Sequence, residues 1–499
     1  MGYRLYKIYY FCVRVILEAV AKVVFGIRFW GVKSNTLPPI SNLLLIEPAI
    51  SLAQKIRSGK VTSEEVVKSF IARIREINPI LNAVVDERFE EALEEAKEVD
   101  KFLRSTSKSQ DEISKEKPFL GVPFTVKDCF CVKGLKQTAG LYARKDFVAE
   151  KDADNVRLMK EAGAIILGVT NVSELCMWWE SSNTIYGRTN NPYNTNHIVG
   201  GSSGGEGCLQ AASGSPVGIG SDIGGSIRMP CFFNGIFGHK PSSGIVSNRG
   251  EEPEAVGALQ NYLVTGPMCR FACDLIPVYK VLASSNVHML TLDKKVNLKD
   301  IKIYYMENDG GNPALSPVER ELKLAQQKVL DHFKRAYKIT PVKVEIKYLI
   351  DSVRIYFAKL GEVKEAPSFA SELVLKKGEL DVYKEFIKCL FGMSKHTFPA
   401  LFLALFEKTN HNNTENPKLF HYCDKMKMEF KNLLGEDGIF LYPSHPTTAP
   451  RHGEPLFRPF NFAYTAILNI MGVPVTQCPL GLSSKGLPLG NTVNARMKK

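Results

Sequence analysis

The chain has 499 residues, 44% hydrophobic and 23% charged, an ordinary globular balance that excludes disorder as the main state. Glycine (38) and proline (27) are near average usage, so collagen-like and low-complexity architectures are excluded, and no repeat occurs at solenoid or propeller periods. The net charge of +12 is spread among interspersed acidic and basic residues without a nucleic-acid motif, so no nucleic-acid partner is expected.

The exception to that even spread is the N-terminus, where residues 1–60 carry nine Lys/Arg against only Glu18 and Glu47. Ile8 to Trp30 is largely apolar but interrupted by Arg14, Glu18, Lys22 and Arg28; the first three fall on one helical stripe, with Glu18 able to pair with Lys22. No clear signal-peptide cleavage site follows. A spanning helix needs about 20 mostly apolar residues and tolerates central charge poorly. An interfacial helix tolerates the stripe, and Arg4 and Lys7 suit anionic headgroups. Residues 1–33 are therefore expected to attach to a membrane, spanning or lying on it, while 48–499 form the main domain.

Along that domain, Thr62-x-x-Glu65 is a capping box that starts a helix near Ser63 and ends it at Asn78-Pro79. Asn82 to Val85 reads as a short strand, Glu87 to Leu103 as an exposed helix, and Ser105 to Lys117 as a polar loop. Phe119 to Val126 is a buried strand ending at Lys127-Asp128. A helix over Asn155 to Ala162, stopped by Gly163, leads into a strand from Ile165 to Val169, an alternation that implies an α/β sheet. Residues 316–336 and much of 350–435 read as helical, and Ile439 to Tyr442 and Val473 to Cys478 return to strands. One large α/β domain with a helical insert fits this order better than three domains. The 11 scattered cysteines contain no CxxC pair and read as reduced thiols of an intracellular protein.

Residues 200–250 concentrate the chemistry. Gly200-Gly201-Ser202-Ser203-Gly204-Gly205 is followed by Gly220-Ser221-Asp222-Ile223-Gly224-Gly225-Ser226-Ile227-Arg228. Such glycine density means tight turns and exposed backbone N–H groups, and the interleaved apolar and charged residues exclude a flexible linker. Two mechanisms compete. Gly201-Ser202-Ser203-Gly204-Gly205 matches a G-x-S-x-G elbow with Ser203 as nucleophile, although the preceding Asn190 to His197 is not strand-like. The alternative uses both serine clusters and a lysine on a buried strand.

Gly200 to Gly244, together with Gly121-Val122-Pro123 and Lys127, resembles the amidase signature family, and the resemblance covers nearly the whole chain. It implies an α/β fold with a large mixed β-sheet core covered by helices. It also implies a serine hydrolase in which Ser226 is nucleophile, Ser202 relays the proton and Lys127 is the base. The oxyanion hole would use Ile223, Gly224, Gly225 and Ser226, with Asp222 and Arg228 fixing the loop and Ser203 assisting. Met177 and Trp178 would line an acyl channel. Burial of Lys127 is expected to lower its pKa toward a useful base.

The resemblance points to fatty-acid amides, both primary amides and N-acylethanolamines, as substrates of a membrane-associated intracellular enzyme, and allows a homodimer. No metal or organic cofactor is expected. The rivals are an amidase for small soluble amides and an inactive lipid-binding relative. The last is motivated by the C-terminus: after Leu489-Gly490 the chain reads Asn491 to Lys499, where the family continues with a strand and helix. An exposed sheet edge is expected there.

Overall fold

Two stretches without an outward-facing polar position seed the sheet. Pro123–Lys127 and Ile165–Thr170 are buried at every residue and pair in parallel, Phe124 opposite Ile166 and Lys127 opposite Thr170. Strands buried on both faces belong inside a layered α/β structure. The computed structural model describes residues 3–363, 365–410 and 416–495.

In chain order the strands are β1 (Val84–Glu87), β2 (Pro123–Lys127), β3 (Ile165–Thr170), β4 (Ser182–Asn183), β5 (Gly187–Arg188), β6 (Val217–Asp222) and β7 (Phe237–Lys240). They continue with β8 (Val264–Cys269), β9 (Lys302–Tyr305), β10 (Val342–Lys343), β11 (Gly438–Tyr442), β12 (Val475–Leu482) and β13 (Pro488–Ala495). Apart from the small β4-β5 hairpin they form one 11-stranded sheet, ordered β1-β3-β2-β6-β8-β7-β12-β13-β11-β9-β10. The pairs β2–β3, β2–β6, β9–β11 and β9–β10 are parallel and the others antiparallel, so the sheet is mixed.

One large apolar cluster joins β2, β3 and β6 to the helices Ser63–Leu81 and Phe89–Ser105. A second joins the C-terminal strands to the helices Ser352–Leu360, Pro417–Leu434 and Ala463–Ile470. Strand β6, between β2 and β8, ends at Asp222 and delivers the chain into the loop that carries Ser226.

Several expectations need correction. The helix begun by Thr62, whose side chain accepts from Glu65 N at 3.0 Å, runs through Pro79 to Leu81 and stops at left-handed Asn82. The expected loop at 105–117 contains a helix, Gln110–Glu116, fixed by a reciprocal capping box between Ser109 and Glu112. Among the described residues the C-terminal stretch exposes no sheet edge: Pro488–Ala495 is a strand paired on one side with β12 and on the other with β11. The edges are β1 and β10. Residues 496–499 of the C-terminal stretch lie outside the described residues.

The N-terminal helix, Tyr3–Arg28, is amphipathic in an inverted sense. Its docking stripe includes Arg14 and Glu18, which pair at 3.6 Å, together with buried Ala21 and Phe25. Glu18 therefore meets Arg14, not Lys22, and also accepts from the Ser316 hydroxyl. Arg14 Nε donates to Pro313 O at 3.0 Å, Arg451 Nη1 to Phe25 O at 2.6 Å, and the Phe25 ring meets Phe457 edge-on. The opposite face leaves Ile8, Phe11, Ile16, Val20, Val23 and Ile27 exposed. No helix among the described residues is long and apolar enough to cross a membrane.

Candidate active site

Lys127 is the last residue of β2, and the parallel pairing of β2 with both β3 and β6 buries it completely. Its Nζ donates to Ser202 Oγ at 2.7 Å and to Ser221 Oγ at 2.9 Å. Ser202 follows a cis peptide bond after Gly201 and precedes the helix Gly204–Ala211. Close packing forces glycine at 201, because a Cβ there would lie 2.5 Å from the Trp178 carbonyl oxygen. Ser181 Oγ fixes the same turn, donating to Gly200 O at 3.0 Å and Ser202 O at 3.2 Å.

Ser226 lies beside this turn. Ser203 N donates to the Ser226 carbonyl at 3.2 Å, so the two serine clusters, far apart in the chain, are joined through their backbones. The Ser226 hydroxyl itself makes no hydrogen bond among the described residues, and the residue keeps 8% of its surface exposed. Ser203 points elsewhere, its Oγ donating to Ser221 O at 3.3 Å. That geometry disfavours Ser203 as the nucleophile of an elbow, since its hydroxyl is turned into the β6 backbone.

Asp222 and Arg228 hold the loop between them. Arg228 Nε and Nη2 grip the two Asp222 oxygens at 3.0 and 2.8 Å, a bidentate pair with no exposed surface. Asp222 also accepts from Gly225 N at 2.7 Å, Ile227 N at 3.1 Å and Asn469 Nδ2 at 2.9 Å. Burial alone would raise this carboxyl, but the charge and hydrogen bonds of Arg228 outweigh it and hold the group well below the usual carboxylate range. Arg228 is satisfied in turn by Thr465 O at 2.8 Å and by Asn469 Oδ1.

This network modifies the expected oxyanion hole. Of its four backbone donors, the Gly225 N–H is already committed to Asp222, leaving Ile223, Gly224 and Ser226 as candidates. Gly225 instead shapes the loop: its φ of +127° suits glycine alone, and a Cβ there would come within 2.1 Å of Thr465 Oγ1. The loop carbonyls are tied back, Gly224 O by Thr465 Oγ1 at 2.7 Å and Ile223 O by Tyr356 Oη at 3.4 Å. Sequence reading missed Thr465 and Asn469, because nothing local marks residues that act some 240 positions away.

The electrostatics of Lys127 also differ from expectation. Burial pushes its pKa down, but the neighbouring Cys176, Cys129 and Glu251 push it up and prevail. The histidines flanking the signature are tied to neighbours and lowered by burial. His239 Nδ1 sits 2.9 Å from Thr476 Oγ1 and burial pushes it down to about 3; His197 Nδ1 lies 2.6 Å from Ala449 O and is also lowered by burial.

Met177 and Trp178 are half-buried and line a cleft of about 170 Å³ with Thr397, Pro399, Ala400 and Leu456. Ser226 is not in its wall; the Trp178 backbone packs between the cleft and Gly201. The turn before it is strained, with Leu175 and Cys176 at φ 49° and 57°. Trp179, next in line, is core and packs on His445.

The amidase family model matches residues 65–499. Fatty-acid amide hydrolase 2 of Homo sapiens is 48% identical over 467 residues, spanning 93% of this chain and 88% of its own. Fatty-acid amide hydrolase 2-B of Danio rerio is 46% identical over 488 residues, spanning 97% and 93%. A solved structure of a fatty acid amide hydrolase superposes with a TM-score of 0.71 at 20% identity, covering 92% of this chain and 83% of that one; the likeness there is one of fold.

Proposed function

The chain belongs to the amidase signature family and is an amide-hydrolysing enzyme, and from that premise we propose that it cleaves fatty-acid amides, primary amides and N-acylethanolamines, at a membrane surface through Ser226, Ser202 and Lys127. The observation that carries this reading is a fully buried lysine 2.7 Å from a serine hydroxyl, next to a second serine on a glycine-shaped, charge-braced loop.

In this reaction Ser226 Oγ attacks the amide carbonyl carbon. Its proton passes to Ser202, which passes its own to neutral Lys127. The link from Ser202 to Ser226 forms with substrate in place, as is common for catalytic hydrogen bonds that are absent in an empty site. Negative charge on the carbonyl oxygen is met by the N–H groups of Ile223, Gly224 and Ser226, each such donor typically contributing about 2.7–4 kcal/mol. The proton then returns through Ser202 to the leaving nitrogen, and ammonia or the amine departs. Water, deprotonated by the same relay, cleaves the Ser226 ester to release the fatty acid and restore the hydroxyl.

The outward apolar face of the N-terminal helix supports membrane attachment, because a charged stripe turned inward and an apolar stripe turned outward suit a lipid interface. Exposed Tyr383, Ile387, Leu390 and Phe391 add a second apolar surface, and the neighbouring Thr397, Pro399 and Ala400 line the cleft of Met177 and Trp178. The test is release of ammonia from primary amides of increasing acyl length by purified protein. kcat/KM rises by up to about fourfold per added CH2 until the acyl site is filled, since each buried methylene is worth about 0.8 kcal/mol. A profile that is flat or falls with length identifies an amidase for small soluble amides instead.

A further inference from the structure

A buried carboxyl that the reaction above does not use, Glu251, is linked to Lys127 through the Cys129 thiol and the Ser221 hydroxyl. Glu251 lies on a loop stitched to the segment directly after β2. Cys131 N donates to Gly250 O at 2.9 Å, Glu252 N donates to Cys129 O at 2.8 Å, and Phe130 and Glu251 form an antiparallel bridge. Gln137 Nε2 spans the two segments, reaching Cys129 O at 2.7 Å and Gly250 O at 3.1 Å. This stitching fixes the Glu251 side chain inside the protein, with only 7% of the residue exposed, and links it to Lys127 through Cys129 and Ser221. Oε1 accepts from Cys129 Sγ at 3.6 Å, and Oε2 is buried with no hydrogen-bond partner. Ser221 bridges toward the lysine, its Oγ 2.9 Å from Lys127 Nζ and 3.8 Å from Cys129 Sγ.

A carboxylate with an orphaned buried oxygen is costly unless an opposite charge lies near, and the same holds for a buried ammonium. We propose that Glu251 is the counter-charge of Lys127, a positioning residue that holds the lysine as an ammonium in the resting site, so that catalysis begins only once this pair has lost a proton. The inference rests on the reading of Lys127 as base.

Among the described residues, the other titratable groups acting on Lys127 are the Cys129 thiol, from the segment directly after β2, and the Cys176 thiol, from the strained turn after β3. Asp128, the adjacent carboxyl, is held by the N–H of Thr138 at 2.8 Å and by its hydroxyl. Burial pushes Glu251 up to about 7, against the charge of Lys127 and its contacts with Ser221 and Cys129, and the Glu251 charge raises Lys127 in return. The sign follows: removing the negative partner lowers the pH at which Lys127 becomes neutral, and the acid limb of the rate profile moves down.

The experiment is kcat/KM against pH for the full-length enzyme on one amide, in the parent, Glu251→Gln, Glu251→Asp and Lys127→Ala. Glu251→Gln moves the acid limb down by about one pH unit, while Glu251→Asp keeps the charge and stays near the parent. Glu251→Met, neutral in a different packing, moves the limb the same way and serves should the glutamine variant not fold. An unmoved limb in both neutral variants, or an equal shift in Glu251→Asp, overturns the proposal. Lys127→Ala separates the two claims: near-parent activity there refutes the lysine base itself, whereas lost activity with an unmoved Glu251→Gln limb refutes only the role of Glu251.

Discussion

The loop around Ser226 and the N-terminal helix both place charge inside the protein, and they do it under opposite conditions. In the loop, Asp222 and Arg228 have no exposed surface, and each meets several partners drawn from the loop backbone and the helix Ala463–Ile470. In the N-terminal helix, Arg14 and Glu18 are shielded on a docking face held by a few contacts, while the apolar side faces outward. Burying a charge completely requires partners for all its atoms and makes the region intolerant of change. Shielding it at a thin interface costs little, and leaves the element free to serve a second surface.

The strongest way to break this comparison is at the loop's product, the placement of Ser226. Ser226→Ala lowers kcat by about 10⁴-fold or more with unchanged thermal stability, since removing one member of a catalytic unit costs nearly as much as removing all. Ser203→Ala, its hydroxyl turned into β6, has a far smaller effect; equal losses at both would restore the elbow reading. Lys127→Ala costs about 10²–10⁴-fold, the usual worth of a general base. Because its neighbours push the Lys127 pKa up, activity in the parent is expected to climb with pH as that proton leaves, which a rate profile checks directly.

Next in size is the charge pair itself. Arg228→Met leaves Asp222 buried and unpaired, at a cost of about 3–5 kcal/mol in chemical denaturation. The pH dependence has a definite sign. The Asp222 carboxyl is depressed in the folded state, so its contribution is fully present above its unfolded value of about 3.9 and is lost as pH falls through the folded one. Below about pH 4 the parent loses this part of its advantage over Arg228→Met, and the gap between the two narrows. Gly225→Ala meets both a left-handed backbone and Thr465, costing about 1–3 kcal/mol from the strained backbone alone and displacing the loop that carries Ser226; thermal melts and turnover read the two effects.

The smallest effect on the catalytic body comes from the other region. Deleting residues 1–33 leaves the melting temperature and the hydrolysis of short soluble amides near parent values, while recovery with anionic vesicles falls in a sedimentation assay. A truncated protein that sediments as fully as the parent would show that the outward apolar face is not the attachment site.

What could be read from the chain follows the same division. Strands β2 and β3 were legible because both faces are buried and the residues say so. The Asp222–Arg228 pair was legible because its partners are six residues apart. The helix Gln110–Glu116 carried its capping box in plain sight, but its polar composition masked the element as loop. Long-range partners were not legible: Thr465 and Asn469 reach the loop from 241 residues or so away, and two of the three groups that raise Lys127, Cys176 and Glu251, come from a turn after β3 and a loop after β7. Local pattern gives burial, which predicts a lowered lysine; only the assembled fold supplies the opposing charges.

The assignment of Ser226 as nucleophile is the claim on which the rest depends, and covalent trapping tests it most directly. A serine-reactive fluorophosphonate is incubated with the full-length protein, and the modified peptide is identified by mass spectrometry. The account predicts a single adduct on Ser226, formed faster as pH rises and slowed sharply in Lys127→Ala. An adduct on Ser202 or Ser203 in its place, or labelling of Ser226 that is indifferent to Lys127, would contradict it.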